Sequence, residues 1–166
     1  LPISIRYVAP QFTTTRMITD YKDRYYHKLY ERSQKMREDE HQMAKEIAFW
    51  KNDISKHWEK IEVLDTNILN KNSEHYQMGT EYNARVTLNL GELTPEDIGV
   101  EIIMTNDFAD IVQKHEFKVT GNEGKKTYYE LKLNPLRPGT FNYGLRIFPK
   151  NNLLPHRQDF GYLKWI

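Results

Sequence analysis

From Thr13 onward the apolar residues fall three or four positions apart, with Ile18, Tyr21, Tyr25 and Leu29 forming one stripe. That spacing puts them on one face of a 3.6-residue helix and predicts an amphipathic helix to about Gln34. Thr13, Thr14 and Thr15 offer side-chain oxygens for its N-cap. A second stripe, Met43, Ile47, Trp50, Ile54, Trp58 and Ile61, follows the charged bridge REDEHQ at 37–42. No Gly or Pro occurs between Gln11 and Met78. The pattern predicts either one long bent helix or two helices with a polar elbow near residues 37–42. Before Thr13, Pro2 and Pro10 discourage helix, so residues 1–12 read as extended.

Past Ile61 the period changes. Residues 65–79 are polar and rich in Asn, and read as a linker or long loop with room for one short strand. Tyr82, Ala84, Val86, Leu88 and Leu90 then alternate with polar residues, the signature of a half-buried strand. The turn GELTPED leads to a second strand through Val100, Ile102 and Met104. Phe117 and Val119 mark a third, and NEG at 122–124 a hairpin turn into a fourth through Tyr129, Leu131 and Leu133. Phe141, Tyr143, Leu145 and Ile147 mark a fifth, and residues 162–165 a sixth. Closely spaced short strands with frequent turns predict an antiparallel immunoglobulin-like β-sandwich. The fold class is therefore α+β, with a helical segment at 1–63, a linker at 64–79 and a β-sandwich at 80–166. Phe141 stands where such domains often carry a corner tyrosine, so packing alone would hold that corner.

Composition narrows the function. The 166 residues are 39% hydrophobic and 28% charged, with a net charge of +1. A nucleic-acid binder would concentrate basic residues on one face, and no apolar run approaches the ~20 residues of a membrane span. Residues 1–60 carry 12 basic and 9 acidic side chains against 12 and 14 in the remainder, an asymmetry that favours docking of the two parts. There is no cysteine, hence no disulfide framework and no thiolate nucleophile, which fits a cytoplasmic protein. The chain begins at Leu1 with no secretory leader, and is expected to be a piece of something longer.

Little in the sequence carries chemistry. There is neither a GxGxxG nor a GxxxxGK[ST] loop, and no two of the six histidines stand at the i, i+4 spacing of a helical metal pair. Asp107 and Asp110 read as a solvated turn, because calcium needs about six oxygens. No serine sits in a nucleophile elbow. Aromatics are the enriched class, at 13%. Exposed rings stack against the C–H faces of pyranoses, and Trp165, Tyr162, Tyr128 and Tyr76 are the candidate sugar platform. The competing reading is that these rings, like Trp50 and Trp58, pack within the fold.

Five segments together resemble a known family: RMITDYKDRYYHKLYERS at 16–33, AKEIAFWKNDISKHWEKIEV at 44–63, LTPEDIGVEII at 93–103, PGTFNYGLRIFPKNNLLPH at 138–156 and DFGYLKW at 159–165. They are similar to the C-terminal portion of bacterial α-glucan phosphorylases, retaining glycosyltransferases that release glucose 1-phosphate from α-1,4-glucan. The resemblance implies a parent whose two Rossmann-like domains enclose a cleft, with pyridoxal phosphate on a lysine of the second. The lysine-bearing motif has no match here, so the chain is expected to hold no catalytic, cofactor or metal residue of its own. It also implies that the helices brace the catalytic domains through Tyr21, Tyr25, Trp50 and Trp58. In a chain without those domains the stripe would self-associate or fold back on the sandwich. An α-glucan is the remaining expected partner, and neither nucleic acid nor membrane is.

Overall fold

The computed structural model describes residues 13–68, 79–134 and 139–166. The expected extended start at 1–12 and Tyr76 lie outside the described residues. The chain forms two compact units, Leu1–Phe49 and Trp50–Ile166.

In the first unit, helix α1 (Thr14–Tyr21) runs through a π-helical turn (Lys22–Tyr26) into α2 (His27–Arg37). Thr13 caps it as expected, its side-chain oxygen accepting from the Arg16 amide at 3.3 Å. Arg16–Asp20 and His27–Glu31 pair one turn apart along the exposed face. No residue of α1, the π-helical turn or α2 is buried. Of the two arrangements the period allowed, the chain takes the elbow. Asp39, Glu40 and His41 have φ of 47°, 53° and 66°, three consecutive left-handed residues that stop the helix without glycine. Helix α3 (Gln42–His57) then starts afresh.

The last turns of α3, from Trp50, belong to the second unit together with eight strands. These are β1 (Glu62–Asn67), β2 (Tyr82–Asn89), β3 (Ile98–Thr105), β4 (Ile111–Glu116), β5 (Lys118–Glu123), β6 (Lys126–Leu133), β7 (Asn142–Pro149) and β8 (Lys164–Trp165). They form two four-stranded sheets, ordered β1-β2-β6-β5 and β4-β3-β7-β8, with antiparallel neighbours throughout. Alternation places Val86, Leu88 and Tyr129 of the first sheet and Val100, Ile102, Leu145 and Ile147 of the second in one core. One strand fills the place the sequence left open, and another exceeds the expectation. β1 occupies the start of the expected linker and pairs with β2, and β4 precedes the expected third strand. Both are mostly exposed edge strands, so neither carries the apolar alternation by which strands are recognised.

The turns follow their residues. NEG closes the β5–β6 hairpin with Gly124 at φ 60°. In GELTPED, Thr94 and Asp97 form a reciprocal capping box around Pro95. Gly99 serves close approach instead: a Cβ there would sit 2.2 Å from the Phe148 ring. Before β7, the Phe141 ring lies against Gly139, where an added Cβ would meet it at 3.3 Å.

Candidate functional surfaces

Trp50 and Trp58 are drawn inward. Trp58 is 3% exposed and packs among Ile54 and Ile61 in the core of the second unit. Trp50 donates its indole N–H to Asp97 Oδ1 at 2.7 Å, and its ring lies 5.3 Å from Phe160. Tyr162 bridges the two, with its ring 4.9 Å from Phe160 and 5.5 Å from Trp58. Lys51 donates to the Asp159 carbonyl at 3.0 Å, and Lys164 to the Ile61 carbonyl at 3.0 Å. These contacts fasten the end of α3 to the closing segment of the chain. Trp58 is therefore unavailable to a separate domain, a correction to its expected role, because burying so large a ring stabilises the two-sheet body itself. Tyr162 is half-buried, its ring packed against Phe160 and Trp58 in this cluster.

Tyr21 and Tyr25 have the opposite environment. They are 50% and 55% exposed, with ring centroids 5.8 Å apart, on a face shared with Met17, Ile18 and Leu29, all exposed. Tyr26 and Tyr30 widen the exposed aromatic surface.

The remaining platform candidates lie on different faces. Tyr128 stands on β6, facing away from the core, over Gly121, with Arg85 5.8 Å from its ring centroid. Its hydroxyl donates to Glu123 Oε2 at 3.2 Å; partial desolvation first, then that carboxylate, pushes the phenol above its ordinary value. Trp165 stands on β8 in the other sheet and is 58% exposed. Two sheets and their shared core separate these rings, so no single sugar ring touches both.

Around Trp165 the outer face of the second sheet carries a charge network absent from the sequence expectation. Glu101 on β3, 1% exposed, accepts from Arg146 on β7, its directly opposite neighbour, and from Arg157 Nη1 at 2.8 Å. Arg157 also stacks on Phe148, 3.8 Å from the ring centroid, which pins the segment between β7 and β8 to the sheet. On its other side Glu101 faces Glu116, whose charge is met by Lys150 at 2.6 Å. Two like charges directly opposite would repel, and these three cations offset them. A charge inside the apolar run VEII was the one sequence signal for this network.

Among the described residues no three metal-ligating side chains converge and no lysine is buried. Pyridoxal phosphate needs a lysine for its imine and a cradle of amides for its phosphate, and these residues do not fit it. Among them, too, no helix is long and apolar enough to cross a membrane.

Two four-stranded antiparallel sheets around one core, with the end of a helix packed into it, define a β-rich domain. The chain belongs to the family described as the glycogen phosphorylase C-terminal domain, which it matches over residues 58–166. It is 31% identical over 170 residues to a maltodextrin phosphorylase of Thermococcus litoralis, a match covering 98% of this chain and 19% of that protein. It is 21% identical over 164 residues to a glycogen phosphorylase of Mycobacterium tuberculosis, covering 95% of this chain and 19% of that protein. The chain thus spans about a fifth of the length of the curated relatives it matches.

Proposed function

We propose that this chain is the non-catalytic C-terminal region of an α-glucan phosphorylase, and that its work is to brace the catalytic part of the polypeptide. The parent would degrade α-1,4-glucan with phosphate to glucose 1-phosphate, with pyridoxal phosphate held by residues outside this chain. The exposed face of α1 and α2 carries the proposal. Met17, Ile18, Tyr21, Tyr25 and Leu29 give the first unit an exposed apolar stripe, with no residue of α1 or α2 buried, while the second unit is closed around Trp58. A helix of this kind gains most of its stability from packing rather than from its own hydrogen bonds. The catalytic domains supply that packing, and the two-sheet body holds the end of α3 through Trp50 and Trp58.

The strand orders β1-β2-β6-β5 and β4-β3-β7-β8 support reading that body as an immunoglobulin-like β-sandwich with one added edge strand. A rigid module of this type suits a bracing role. The test uses the full-length polypeptide and the 166-residue chain in parallel. Tyr25→Asp and Leu29→Asp are expected to lower phosphorolysis and thermal stability of the full-length protein. The isolated chain, given glucan, phosphate and pyridoxal phosphate, is expected to show no turnover. Turnover by the isolated chain, or stoichiometric uptake of the cofactor, overturns the proposal.

A further inference from the structure

The outer face of the β4-β3-β7-β8 sheet holds one aromatic ring in an unusual setting. Glu116, Glu101, Arg146 and Trp165 stand side by side in one cross-strand row. Beside that row, Gly144 leaves a gap on β7 that the Trp165 ring covers. A Cβ at Gly144 would come within 3.0 Å of Trp165 Cζ3, so only glycine lets the indole lie this close to the sheet. The ring is held against the backbone yet remains 58% exposed.

Arg146 completes the arrangement. Its guanidinium carbon is 5.6 Å from the Trp165 ring centroid, and its Nε and Nη2 are engaged by Glu101. Glu101 is itself 1% exposed and is also held by Arg157, so the carboxylate that aims Arg146 cannot swing away. The ring and the guanidinium are thus fixed before any ligand arrives, which removes most of the ordering cost of binding.

We propose that Trp165 and Arg146 form a docking platform for one glucose unit of an α-1,4-glucan, distinct from the bracing face of α1 and α2. A pyranose presents axial C–H groups to the open indole face, and its hydroxyls accept from the guanidinium. The occupant follows from the size and chemistry of the site. It offers one ring bordered by charge, with Leu163 as its apolar neighbour in sequence. A protein interface would show a broad apolar centre of roughly 800 Å² per partner. The choice of sugar rests on the α-glucan reading above.

Affinity electrophoresis of the 166-residue chain tests this, in native gels with glycogen, with dextran, or with neither. The wild-type chain is expected to be retarded by glycogen alone. Trp165→Ala is expected to run as in the glycogen-free gel, an affinity loss of about tenfold or more. Trp165→Met preserves apolar packing and keeps the test valid if the alanine variant unfolds; it too should lose retardation. Arg146→Lys keeps a charge for Glu101 but loses the planar fork, and should weaken retardation without abolishing it. Titration with maltoheptaose should change the tryptophan fluorescence of the wild type and not of Trp165→Met. Unchanged wild-type mobility in glycogen, or retardation of both Trp165 variants equal to that of the wild type, overturns the platform. Phosphorolysis by the full-length protein is measured separately. Activity without retardation removes the platform alone, whereas absence of activity removes the α-glucan reading beneath it.

Discussion

Replacing Trp58 with alanine separates two readings of the helical stripe. From sequence, Trp58 stands on an apolar stripe that is either core or interface; as interface alone, its loss would leave the isolated chain nearly untouched. In the structure it is 3% exposed, beside Ile54 at 0% and Ile61 at 1%, with the Tyr162 ring 5.5 Å away. Truncating a buried Trp to Ala costs about 3–5 kcal/mol, because transfer free energy is lost and the cavity only partly collapses. The Trp58–Tyr162 ring pair adds about 0.5–1.5 kcal/mol beyond buried area, and is measured as the coupling in a cycle with Tyr162→Ala. Set against a domain stability of roughly 5–15 kcal/mol, the single substitution removes about a fifth or more of what holds the body together. Urea denaturation of the isolated chain, followed by far-UV circular dichroism, reads the change as a drop in midpoint. Trp58→Phe should recover much of the loss. A change below about 1 kcal/mol for Trp58→Ala would return Trp58 to the surface and refute the packing argument.

Two further predictions follow from buried geometry. Gly99→Ala should destabilise by about 1–3 kcal/mol in the same assay, since Phe148 cannot retreat beneath the Arg157 guanidinium. Phe148→Leu should offset part of that loss in the double variant; simple additivity would show that the ring is not what the new methyl meets. Alkaline titration tests Tyr129, 1% exposed, whose hydroxyl donates long hydrogen bonds to the Pro95 and Ile98 carbonyls at 3.4 and 3.5 Å. Burial, then the Glu96 and Asp97 carboxylates, raises its phenol well above the ordinary 10.0. The folded state therefore holds the proton longer than the unfolded chain, and this contribution to stability is intact below pH 10.0 and lost as pH rises beyond it. Tyr129→Phe should flatten that alkaline decline in the melting temperature, and an unchanged slope would exclude Tyr129 as its source.

What the sequence determined by itself is local. Period 3.6 set the helices and Thr13 the cap; the absence of Gly and Pro left the bend open, and three left-handed residues at Asp39, Glu40 and His41 settled it. Period two revealed β2, β3, β6 and β7 because each has one face in the shared core. It left β1 as an unplaced short strand and missed β4, since an edge strand whose side chains meet mainly water has no reason to alternate. The wording of five segments carried the family, which describes ancestry rather than contact. Only tertiary structure decided which aromatics are packing and which are surface. Trp50, Trp58, Tyr162 and Trp165 are alike as letters, yet helix end and closing segment meet to bury the first three to different depths. Trp165 stays open over Gly144 because β8 ends the sheet and no strand lies beyond it. The Glu101 network showed only as a charge inside an apolar run: its members are 45 and 56 positions apart, and only the register of β3 against β7 brings such charges into one buried site.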